Sequence, residues 1–185
     1  MDVKYDARKA LGDWTSQAWY AKTYSMDASW KPATEKGGAS AMPWGKLVKR
    51  AIPLWNDRGL ADYVSLRVGN EKIKLPYKNN GVEAVTLFAK LPFNQQVTPY
   101  LRVKSGGGKT IEIGTDNRSN LINAQYTTKQ GEQSFETYSW MNGHEVKYRV
   151  PPGVEVLELK YRWTGLGEIA GTFECSDPFY QRLWR

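Results

Sequence analysis

Strict alternation of large apolar and charged residues constrains this chain more than any other feature. Leu157, Leu159, Tyr161 and Trp163 interleave with Glu158, Lys160 and Arg162. In extended backbone successive side chains point to opposite faces, so this spacing puts the four large apolar groups on one side of a strand. The same period of two recurs at Lys72-Ile-Lys-Leu75, Thr110-Ile-Glu-Ile113 and Val146/Tyr148/Val150. Turn residues separate the runs at Gly69-Asn70, Asn79-Asn-Gly81, Ser105-Gly-Gly-Gly108, Lys129-Gln-Gly131, Asn142-Gly143 and Pro151-Pro-Gly153. Many short strands punctuated in this way predict an all-β fold, an antiparallel β-sandwich of jelly-roll type.

Composition narrows what such a fold is for. At 185 residues and 41% hydrophobic, the chain can build one full domain, or one domain with part of another, and is not a disordered segment. Its 8 Trp and 11 Tyr, against 5 Phe, give much of the large apolar surface a polar tip, which suits flat ligand-binding faces. The net charge is +7, but Lys and Arg are scattered singly along alternating runs such as Glu145-Val-Lys-Tyr-Arg-Val150. That distribution describes a solvated strand face rather than a nucleic-acid footprint. The lone Cys175 excludes an internal disulfide, and the lone His144 excludes a multi-histidine metal site; no cofactor is implied. No run reaches the ~18 apolar residues of a membrane span, and the first thirty residues lack the pattern of a signal peptide.

The chain divides unevenly. Residues 1–58 crowd five tryptophans around a Gly/Ala/Ser stretch at Gly37-Gly-Ala-Ser-Ala41 and are expected to be a lead-in segment or the end of a preceding sandwich. Residues 59–172 carry the sandwich pattern. In residues 173–185 the period changes: Asp177 can N-cap, Pro178 suits the first helical position, and Phe179 and Leu183 lie one helical turn apart. A helix is expected to begin there and to be the severed start of a helical domain, since its apolar residues have no later helix to pack against.

Three stretches carry a family likeness. Thr172-Phe-Glu-Cys-Ser-Asp-Pro-Phe-Tyr-Gln-Arg-Leu-Trp184 resembles the junction that enters the catalytic barrel of bacterial α-L-rhamnosidases. Trp44-Gly-Lys-Leu-Val-Lys-Arg-Ala-Ile-Pro53 resembles the lead-in to that family's β-sandwich, and Tyr138-Ser-Trp-Met-Asn-Gly-His-Glu-Val146 a loop and strand late in it. The resemblance implies a secreted glycoside hydrolase, periplasmic or extracellular, in which β-sandwich modules precede an (α/α)6 barrel. The barrel's acidic residues would lie beyond Arg185. It therefore implies a non-catalytic piece whose partners are the catalytic domain of the same polypeptide and, through contact, rhamnose-containing glycans.

Candidate sites follow from residue chemistry. The acidic residues fall at alternating strand positions or at turns and caps, not as a carboxyl pair facing across a sugar-sized cleft. Ser105-Gly-Gly-Gly-Lys-Thr110 lacks the first Gly of a phosphate loop, which is Val103 here, and leads into a strand. Trp140, Asn142 and His144 are spaced two apart: an aromatic plane with an amide and an imidazole is equipment for stacking on a sugar and bonding its hydroxyls. The plainer reading, which we prefer, packs Trp140 under a loop with His144 bonded to backbone. Trp44 and Trp55 are the freest of the early tryptophans, and Trp44 is a further candidate. A free-standing carbohydrate-binding module using Trp140, Asn142 and His144, or Trp44, and a basic nucleic-acid-binding β-domain remain as alternatives.

Overall fold

The computed structural model describes residues 2–10, 31–38, 40–43, 45–52, 54–117, 119, 122–165 and 171–183. The organising element is a strand of unusual length, β6 (Val85–Gly106). Its odd-numbered side chains are buried at Leu87, Ala89 and Leu91 and again at Val97, Leu101 and Val103, so one continuous apolar edge serves two groups of partners. The first half pairs antiparallel with β10 (Met141–Val150) and β3 (Ser65–Val68). The second half pairs antiparallel with β11 (Glu155–Gly165) and β9 (Gln130–Glu136).

Around this spine the sheet runs in the order β1 (Asp2–Asp6), β8 (Asn123–Thr127), β7 (Thr110–Thr115), β10, β6, β11 and β2 (Asn56–Asp62). Short strands β4 (Glu71–Lys72) and β5 (Tyr77–Lys78) attach to β3 and β11. The all-β class holds. Two features depart from a plain antiparallel sandwich: the sheet is one curled path through β6, and β1 joins β8 in parallel. Asp2–Asp6 and Asn56–Arg58, both from the expected lead-in, are thus hydrogen-bonded into the same sheet.

The inward faces form one core. Ile111, Ile113, Ala124, Tyr126, Val146, Tyr148 and Val150 supply one side, and Leu101, Val103, Phe135, Val156, Leu159 and Tyr161 the other. At about 1.5–3 kcal/mol for each large side chain withdrawn from water, this core is the main source of stability. The buried Tyr148 hydroxyl is satisfied by Tyr63 at 2.8 Å, and burial pushes both phenols upward in pKa.

Two sequence expectations are corrected by local irregularities. Asn142-Gly143 is not a turn; β10 runs through it, with a register shift between Gly143 and Glu145. In β11 a shift between Val156 and Glu158 re-phases the strand, so Val156, Leu159 and Tyr161 are buried while Leu157 is only partly so. The Ser105-Gly-Gly-Gly108 segment does form the β6–β7 turn, where Gly107 and Gly108 take positive φ of 94° and 68° that a side chain would strain. At the C-terminal end α1 (Pro178–Leu183) forms where expected, with Asp177 Oδ1 accepting from the Phe179 N–H at 2.8 Å.

Candidate functional site

The ends of β2, β11 and β10 converge where β6 passes between its two groups of partners. Asn56 pairs with Gly165, Arg162 with Thr98, and Met141 with Val97. Met141 and Val97 point inward and are fully buried. Trp140, one residue before Met141, and Trp55, one before Asn56, are therefore delivered to the surface from distant parts of the chain. Their ring centroids are 4.2 Å apart with 33° between planes. Trp140 keeps 45% and Trp55 41% of its surface exposed, so the pair is a packed but open aromatic wedge.

Beside it runs a groove of about 450 Å³ lined by Gln96, Thr98, Ile122, Thr137, Tyr138, Ser139 and Trp140. Its volume falls within the ~300–1,000 Å³ of small-molecule sites. The Ser139 hydroxyl is buried and has no hydrogen-bond partner among the described residues, although its carbonyl accepts from Thr137 Oγ1. Tyr138 extends the aromatic surface, packing near Tyr5 and Phe135. An aromatic wedge beside hydroxyl and amide groups can stack on the apolar face of a sugar ring and bond its hydroxyls.

Of the residues expected at a site, only Trp140 lines this groove; Asn142 and His144 do not. Trp44 lies outside the described residues. His144 is largely exposed, and its role is local: its backbone N–H donates to Asp116 Oδ1 at 2.8 Å, and its Nδ1 lies 3.6 Å from Asp116 Oδ2. The Glu145 N–H donates to the same Oδ1 at 3.0 Å, and Thr115 Oγ1 donates to the Asn142 carbonyl at 2.8 Å. The tip of β7 thus latches the irregular stretch of β10. Partial burial works to raise the Asp116 pKa, but the N–H donors of Glu145 and His144 outweigh it and hold the carboxyl below the usual range. Gly143 is required by this latch, because a Cβ there would lie 2.5 Å from Asp116 Oδ1.

Sequence reasoning missed Asp116, counted only among the acidic residues at turns and caps, and missed the pairing of Trp55 with Trp140. Trp55 stood out as free, but nothing in the spacing joins positions 55 and 140.

Many carboxylates are committed elsewhere, to ion pairs on the outer face of the second half of the sheet. Arg162 bridges Glu136 and Asp57, Arg102 bridges Glu132 and Glu158, and Lys160 reaches Asp62 and Glu158. The hydrogen bonds that Arg162 donates to Glu136, and then to Asp57, raise its pKa. Among the described residues no three His, Cys, Asp or Glu side chains are grouped to hold a metal ion.

No family model matches the chain, and no curated protein matches it. Among solved structures, a GH78 family rhamnosidase of Bacillus sp. GL1 is similar in shape, with a TM-score of 0.48 and 18% sequence identity over 60% of this chain. The chain spans 13% of that enzyme's length.

Proposed function

We propose that this chain is a non-catalytic β-module of an α-L-rhamnosidase-like glycoside hydrolase of the periplasm or the extracellular space, where it packs against the enzyme's (α/α)6 barrel. One structural observation carries the reading. Met42, Leu47, Val48, Ile52 and Leu54, and at the other end Phe179, Tyr180 and Leu183, stand exposed outside the sheet core, Val48 by 86%. Apolar side chains displayed in this number on two segments are what a module carries when a neighbouring domain covers them. The resemblance of those two segments to the family's sandwich lead-in and barrel junction supports a barrel as that neighbour. Assayed alone, the chain should release no aglycone from an aryl α-L-rhamnoside, and measurable release would overturn the non-catalytic reading. The parent reading frame should continue past Arg185 into amphipathic helices with paired acidic residues; a stop codon there would overturn the barrel.

The Trp55–Trp140 wedge and its groove favour a second reading, in which the module itself holds a glycan. Isothermal titration with rhamnosylated oligosaccharides should then show binding that Trp140→Ala weakens by about tenfold or more, equal to about 1.4 kcal/mol, with the circular dichroism spectrum unchanged. Equal affinity in the variant would remove Trp140 from the site.

A further inference from the structure

The stretch that carries Trp140 is fastened to β6 at both ends. The Thr137 N–H donates to the Pro99 carbonyl at 3.0 Å, and Met141 pairs with Val97. Between these anchors the Thr137 hydroxyl donates to the Ser139 carbonyl at 3.1 Å. Tyr138 and Trp140 are thus held over one groove, with Cα atoms no more than about 7 Å apart. Each ring is braced by different neighbours. Trp140 leans on Trp55, while Tyr138 lies 6.0 Å from Tyr5 and edge-on to Phe135 at 5.9 Å, and both of those rings stack on the buried Tyr126. Tyr138 nevertheless keeps 72% of its surface exposed. An aromatic ring fixed from below and open above offers a large contact area with little ordering left to lose on binding.

The groove is also uncharged. Charged residues make up 24% of the chain, yet among the described residues no Asp, Glu, Lys or Arg lines it. From β6 it receives Gln96 and Thr98, whose amide and hydroxyl both donate and accept, as sugar hydroxyls do. A polyproline helix also seats on aromatic rings, but its backbone offers acceptors alone. We propose that the groove takes a neutral oligosaccharide of at least two units, one ring on Trp140 and the next on Tyr138. This rests on the glycan reading above and adds to it a second stacking residue and a minimum ligand length.

The test is isothermal titration of the 185-residue chain with neutral methyl glycosides of L-rhamnose, D-glucose and D-galactose, each as a single unit and as a disaccharide, and with a proline decapeptide. One disaccharide should bind about tenfold or more tighter than its single unit. Tyr138→Ala should abolish that advantage and leave the single-unit affinity unchanged, which also shows that the variant is folded. Tyr138→Phe, which keeps the ring, should retain the advantage, and Trp140→Ala should weaken both ligands. Equal affinity for one and two units, or an advantage that survives Tyr138→Ala, would overturn this inference and leave the glycan reading standing. No binding by any saccharide would overturn both, as would binding of the proline peptide alone.

Discussion

At Asp116 one carboxylate oxygen accepts from two consecutive amides, those of His144 and Glu145, and that oxygen with the Thr115 side chain leaves room for nothing larger than glycine at position 143. The lowered pKa gives the latch a pH dependence. A folded-state pKa below the unfolded value of about 3.9 means that the unfolded chain binds the proton more tightly. The Asp116 contribution is therefore complete above about pH 4 and fades as pH falls through the folded-state value. Denaturant midpoints of the protein and of Asp116→Asn should differ near neutral pH and converge in acid. Gly143→Ala should cost about 1–3 kcal/mol by overpacking. Because the clash is with Asp116 itself, the loss should be less than additive in Gly143→Ala combined with Asp116→Ala. At this scale the sequence was only partly legible. Asn142-Gly143 was marked as unusual, but a glycine demanded by a carboxylate 27 positions earlier reads, locally, like a glycine demanded by a turn.

Among the elements, strands announced themselves where one face is buried and one is wet. Val146, Tyr148 and Val150 are as deeply buried as alternation required, and the cap at Asp177 starts α1 as its residues implied. Alternation misled at bulges and at Lys72-Ile-Lys-Leu75, where the ladder ends at Lys72 and Ile73 to Leu75 lie outside any strand. In β11 the pattern from Leu157 to Trp163 continues unbroken in sequence, yet the phase changes at Leu157 because the ladder with β6 slips there. Register is a property of the pair, and one strand's sequence does not contain it. The Asn79-Asn-Gly81 turn is a case where local residues do carry the reason. Asn79 is 2% exposed; its amide donates to the Glu83 and Val150 carbonyls and its Oδ1 accepts from the Gly81 N–H. Asn79→Ala leaves those groups without their partner and should cost about 1–3 kcal/mol in a thermal or denaturant melt. Asn79→Asp keeps the acceptor but sets a buried carboxylate oxygen against both carbonyls and should cost at least as much.

Over the whole molecule, β6 belongs to both halves of the core, so neither half can open while the other stays folded. Leu87→Ala in its first half and Leu101→Ala in its second should each cost about 2–5 kcal/mol. In each variant tryptophan fluorescence and far-ultraviolet circular dichroism should still report one coincident transition; two separated transitions would show that β6 does not couple the halves. The same sharing explains why the site was the least legible part of the sequence: Trp55 and Trp140 meet only because β2, β11, β6 and β10 are all in register at once. The sheet order has one more consequence. Among the described residues β1 and β2 follow one another in sequence yet stand at opposite ends of the path through β6, so the covalent chain between them links the two margins of the sheet. Cutting the chain within residues 31–38 would leave β1 held without a covalent link to β2, among the described residues by its ladder with β8 and the packing of Val3, Tyr5 and Ala7. Its attachment would then change from an intramolecular event to a bimolecular one, and β1 would become a peptide that dilution can remove.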